Sequence, residues 1–147
     1  MLLPDYVRVM TFRKTSPTVL VVEDDGLVRL DAAETLRDAG YEVIEADDAE
    51  EALALMSARD DIALLFTDIN MPGRMDGVEL ARRAHNLHPA IRLLLTSGEV
   101  RLTQREIPDD GLFLAKPYSP NDMTRAVSLL LAWRAPHAVA AGAARRH

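Results

Sequence analysis

Five short, largely apolar runs recur along the chain at similar intervals: TVLVV (18–22), YEVIEA (41–46), IALLFT (62–67), IRLLLT (91–96) and LFLA (112–115). Runs of this length, rich in β-branched residues, read as buried strands. The stretches between them have helical spacing. Val28, Ala32, Leu36 and Ala39 form one stripe, stopped by Gly40. Asp48 with Glu51 reads as a capping box that opens a helix to about Ser57, with Ala49, Ala52, Leu53 and Met56 inward. Asp76 and Glu79 repeat the pattern, and Leu80, Ala81, Ala84 and Leu87 form the inner face of the next helix, which ends before Pro89. Residues 98–108 predict a helix with few apolar positions, closed by Pro108. Ser119-Pro120 is an N-cap with proline at the first helical position, opening a last helix to about Arg134 that Pro136 stops. Apolar strands separated by helices imply a parallel sheet covered on both faces, an α/β fold.

The chain's 147 residues suit one domain. Aromatic residues make up only 5% of it against 48% hydrophobic, so the core is aliphatic. The absence of cysteine excludes a disulfide framework and a thiolate metal site, and makes the cytoplasm the simplest compartment. No apolar run approaches the roughly 20 residues of a membrane span, and the first residues lack the pattern of a signal peptide. Residues 17–134 carry 12 Lys/Arg against 22 Asp/Glu, a balance of −10, which argues against nucleic acid as the main partner. The ends carry the opposite sign. We divide the chain into a disordered N-terminal tail (1–16), one domain (17–134) and a flexible C-terminal tail (135–147), with Met10 as an alternative start.

In an open parallel sheet, function gathers at the carboxyl ends of the strands. Glu23, Asp24 and Asp25 follow the first strand, Asp68 the third, Thr96 and Ser97 the fourth, and Lys116 and Pro117 the fifth. Each has a bland reading: Asp25 as a helix cap, Asp68 as a turn residue, Thr96-Ser97-Gly98 as an ordinary turn, Lys116 as a solvated charge. Lys116 stands out because the chain has only one other lysine, Lys14, among 17 cationic side chains. The joint pattern is far more specific than its parts. Clustered carboxylates tolerate one another with a bound cation or a raised pKa, and oxygen ligands select Mg²⁺ or Mn²⁺. Asp68 can then act as a nucleophile that forms an acyl phosphate. Lys116 supplies a point charge for a phosphoryl oxygen, and Thr96 a hydrogen bond.

The stretches VLVVEDDGLVR, LLFTDINMPGRMDGVELA, LLLTSG and LFLAKPYS closely resemble the receiver domain of two-component response regulators, over about residues 17–132. The resemblance implies a flavodoxin-like, doubly wound, five-stranded parallel sheet in the order 2-1-3-4-5. It makes Asp68 the phosphoacceptor, Glu23 and Asp24 the acidic pair, Asn70 a backbone-carbonyl ligand of the metal, Thr96 the switch hydroxyl and Lys116 the partner lysine, with a cis Lys116-Pro117 bond. Pro72 and Gly77 match the loop that shapes the site. There are departures. Phe113 stands where many receivers have a switch tyrosine. The loop MPGRMDG is one residue longer than the commonest form. Gly98 replaces a bulkier or charged residue, which predicts easier water access and a short-lived phosphoryl group.

The implied function is that of a single-domain, bacterial response regulator, not an enzyme beyond slow autodephosphorylation. A histidine kinase or phosphotransfer protein phosphorylates Asp68 with Mg²⁺, and a downstream protein partner reads the 96–118 face. The alternatives are a phosphate sink or shuttle and a pseudo-receiver that works without phosphorylation, with a homodimer through the fourth and fifth helices left open. The cationic end AARRH reads as a solvated tail, with contact to an acidic partner as its alternative. A metal-dependent phosphatase would want a second acid where Asn70 stands, and a flavin-binding domain would be repelled by Glu23-Asp24-Asp25.

Overall fold

The computed structural model describes residues 16–108 and 110–144, with the backbone alone for Gln104 and 133–144. The expected N-terminal tail, the start at Met10 and the last three residues therefore lie essentially outside the described residues. The elements run β1 (Thr18–Val22), α1 (Gly26–Asp38), β2 (Glu42–Ala46), α2 (Ala49–Ala58), β3 (Ile62–Asp68), α3 (Gly77–Leu87), β4 (Arg92–Ser97), a single 3-10 turn (Gln104–Glu106), β5 (Leu112–Ala115) and α4 (Pro120–Ala144). The strands form one parallel sheet in the order β2-β1-β3-β4-β5.

Successive residues of a strand point to opposite faces, and here both faces are apolar. Leu20, Val22, Leu65, Leu93 and Leu95 pack with Ala52 and Met56 of α2 and Leu80 and Ala84 of α3. Val19, Val21, Leu64, Phe66 and Leu94 pack on the other side with Leu36 of α1 and Met123, Val127 and Leu130 of α4. The central strands β1, β3 and β4 are buried along their whole length. Such continuous burial makes their exits rigid mounts for whatever side chains they carry.

Local chemistry sets the helix starts. Asp25 caps α1 by accepting from the N–H groups of Leu27 and Val28. Asp48 accepts from Glu51 N–H, and the Glu51 carboxylate returns a bond to Asp47 N–H. Ser119 and Asp122 exchange side-chain to backbone bonds at the start of α4. At α3 the capping box is only half made. Asp76 accepts from Glu79 N–H, but the Glu79 carboxylate turns outward to Arg82 and Arg83.

Two expectations are corrected. Residues 98–108 form no α-helix, only the turn at Gln104–Glu106. Of the described residues in that stretch only Ile107 is buried, so little apolar area offsets the entropy of fixing a helix there. At the other end, α4 does not stop near Arg134 but continues past Pro136 to Ala144, so the boundary at 134 falls inside a helix. Proline in a helix interior removes one hydrogen bond, whereas the alanine-rich sequence after it favours helix. Among the described residues no helix is long and apolar enough to cross a membrane.

Candidate functional site

β3 ends on Asp68 itself, so the carboxylate is carried by the last residue of the longest buried strand. Its main chain is gripped from both sides. Ile69 N–H donates to Thr96 O (2.9 Å), and Gly77 N–H donates to Ile69 O (2.9 Å). Gly77 is pressed so closely on β3 that a Cβ there would lie 2.1 Å from the Asp68 carbonyl oxygen. Only glycine lets α3 start at that point. Gly73, in the longer part of the loop, has a positive φ of 105°, a conformation that glycine adopts without strain.

The β1 exit supplies the other acids. Carboxylate oxygens of Glu23, Asp24 and Asp68 lie within 4.8 Å of one another. Glu23 and Asp68 are each only 6% exposed, while Asp24 faces solvent. The β1–α1 turn is braced by Arg29, whose guanidinium donates to Glu23 O (2.8 Å) and pairs with Glu45. Lys116, arriving from β5, donates to Glu23 Oε1 (3.0 Å) and stands 3.6 Å from Asp68 Oδ2. The Lys116-Pro117 bond is cis.

The electrostatics follow from this packing. Burial pushes the Asp68 carboxyl above its ordinary range, against the pull of Lys116 and of Asn70 N–H. Glu23 is likewise raised, chiefly by burial, with its bonds to Lys116 and Asp25 N–H opposing. For Lys116, burial works against the charge, but the bond to Glu23 and the nearby Asp68 outweigh it and raise its pKa. One lysine thus faces three acids, and the pocket remains short of positive charge. An all-oxygen, partly buried donor set of this kind fits a hard divalent cation. A second acidic group, Asp47, Asp48 and Glu51, is different. Two of its members are already spent on the α2 cap.

Glu23, Asp24, Asp68 and Lys116 are thus brought together. Thr96 sits beside Asp68 in register on β4, but its hydroxyl donates to Leu114 O (2.6 Å) on β5. Phe113 lies half-buried against the α2/α3 face of the core. The Asn70 side chain accepts from the Ser97 hydroxyl (2.7 Å). Three contributors, Arg29, Ser97 and Tyr118, lie inside the stretches that carry the resemblance, but only the structure gives them a role. The Tyr118 ring packs on Phe66 with centroids 5.9 Å apart, next to Lys116. Gly98, Lys116, Pro117 and Tyr118 line, with Leu27, Val28 and Asp31 of α1, an open groove of about 630 Å³.

A doubly wound sheet with its charged pocket where the strand order reverses, between β1 and β3, defines the class of α/β domains that use a topological switch point. Within that class the chain belongs to the response regulator receiver domain family of two-component signalling, whose sequence profile matches residues 19–128. It is 36% identical over 114 residues to the transcriptional regulatory protein PdtaR of Mycobacterium tuberculosis, covering 76% of this chain and 55% of that protein. Against the response regulator receiver protein CpdR of Brucella abortus it is 32% identical over 116 residues, covering 77% of this chain and 95% of CpdR. A receiver protein structure from Sinorhizobium medicae superposes with a TM-score of 0.76 at 30% identity, covering 82% of this chain and 98% of that one. The chain thus spans about half the length of PdtaR.

Proposed function

We propose that Asp68 is the phosphoacceptor of a stand-alone, cytoplasmic receiver. The observation that carries this reading is the convergence of Glu23, Asp24, Asp68 and Lys116 from three strand exits. An Asp68 carboxylate oxygen attacks phosphorus. An O–P bond forms, and the bond from phosphorus to the donor's imidazole nitrogen breaks, the imidazole leaving with its electron pair. Lys116, already 3.6 Å from Asp68, holds a phosphoryl oxygen of the product. Glu23, Asp24, Asp68 and the Asn70 carbonyl would hold Mg²⁺. Mg²⁺, when bound, neutralises charge on the transferring group.

The added charge then competes for the Thr96 hydroxyl, which must leave Leu114 O to reach a phosphoryl oxygen. Phosphorylation shifts the balance between those two positions, and with it the 96–118 face that carries Phe113 and that a protein partner reads. The high coverage of CpdR supports the single-domain reading. A histidine kinase or a phosphotransfer protein is the donor, and 17–134 is the signalling unit.

The test is incubation with acetyl phosphate and Mg²⁺. Wild type gains about 80 Da, one phosphoryl group, as a hydroxylamine-labile adduct. An adduct that persists undiminished in Asp68→Asn overturns the assignment.

One observation favours a sink or shuttle over a long-lived signal. Gly98 is exposed, and a Cβ there would sit 3.6 Å from Lys116 Cβ. A larger side chain at this position would cover the lysine and shed water from it. Glycine leaves that approach open, which favours rapid hydrolysis of the acyl phosphate.

A further inference from the structure

Ser97 is 2% exposed and its hydroxyl is fully used. It donates to Asn70 Oδ1 (2.7 Å) and accepts from Glu99 N–H (3.0 Å) and Val100 N–H (2.9 Å). A hydroxyl has one hydrogen to give and two lone pairs to accept with, so no capacity remains. The main chain of the same residue accepts from Lys116 N–H (3.0 Å). One buried serine therefore joins the exits of β3, β4 and β5. Asn70 is exposed, and the Ser97 bond is the one side-chain hydrogen bond seen for it among the described residues.

We propose that Ser97 is a positioning residue that couples the Asn70 turn to the 98–100 turn. Building on the reading of Asn70 as a metal-facing carbonyl, this goes beyond it. The hydroxyl holds Asn70 at the edge of the acidic pocket and, through the same oxygen, holds the first residues of the segment proposed to signal. A change at the pocket that moves Asn70 releases a donor bond from Ser97 and loosens the turn it caps. The pocket and the 98–100 turn thus communicate without Thr96.

Two measurements decide it. In Mg²⁺-free protein, amide exchange at Glu99 and Val100 is followed by NMR in wild type and Asn70→Ala. Loss of a bond of ordinary strength upstream predicts exchange about fivefold faster at both amides. Unchanged rates mean that Ser97 is a local turn cap only, and overturn the coupling. In Ser97→Ala, Mg²⁺ titration followed by the shifts of amides around Asp68 is expected to give an affinity about fivefold weaker. An affinity equal to wild type also overturns it. Asn70 is at the surface, so its variant remains informative should Ser97→Ala fold poorly. The exchange arm needs neither metal nor phosphoryl group, so its outcome is separate from whether Asp68 is phosphorylated.

Discussion

The two halves of the functional edge are built by opposite means. The exits of β1 and β3 rest on strands buried from end to end, with α3 pressed against the Asp68 backbone through Gly77. The chain from 98 to 111 holds one 3-10 turn, and of its described residues only Ile107 and Gly111 are buried. One region holds charges still; the other is held by a few polar bonds, those of Ser97 and the Thr103–Glu106 pair. Phosphoryl acceptance requires fixed groups, whereas a switch requires a segment of low local stability. The same strand, β4, touches both regions, because it starts in the core and ends at Ser97.

Disrupting the rigid side has the largest expected effect. Gly77→Ala drives a methyl into the β3 backbone, and we expect it to cost about 3 kcal/mol in denaturant unfolding. A neutral result would mean that α3 is not clamped to Asp68. On the soft side, Ile107→Ala removes the segment's main apolar anchor and is expected to cost about 2 kcal/mol, near the low end for such truncations. Hydrogen exchange should rise within 98–111 first. Uniform acceleration over the whole sheet would erase the distinction between the two regions.

The pH dependence sharpens the contrast further. Asp68 and Glu23 have folded pKa values raised above their unfolded values. The native state therefore binds more protons than the unfolded state in that window, and stability falls as pH rises through it. Asp68→Asn removes one such penalty. It should raise the melting temperature at pH 7 by about 4 °C, roughly 1 kcal/mol. The gain should vanish at pH 3, where the wild-type carboxyl is protonated in both states. Thermal scans at the two pH values check this; a gain that persists at pH 3 would point to packing instead. The smallest effect is kinetic. Gly98→Arg should lengthen the acyl-phosphate lifetime by about threefold, well under 1.4 kcal/mol of barrier, as read from loss of the hydroxylamine-labile adduct.

Much of this is legible in the sequence. Strand composition, periodicity and the residue after each strand placed Asp68, Lys116 and the Glu23-Asp24 pair at one edge, and Asp25, Asp48 and Ser119 cap as local rules predict. The misread helix over 98–108 shows where local rules fail. Its closing proline was plausible, but burial decides whether a short helix persists, and burial is a property of the whole fold. The continuation of α4 past Pro136 is the opposite error, with one unfavourable residue weighed above the alanines around it.

The sequence by itself determined the sheet, the order of chemistry along its edge and the family, because these depend on residue type at fixed spacing. Only the tertiary structure decided that the Thr96 hydroxyl rests on Leu114, that Gly77 must be glycine, and that Ser97 ties together three loops. Each of these depends on contacts between different elements of the fold. The atoms that meet are chosen by how helices and strands pack, which no local pattern records.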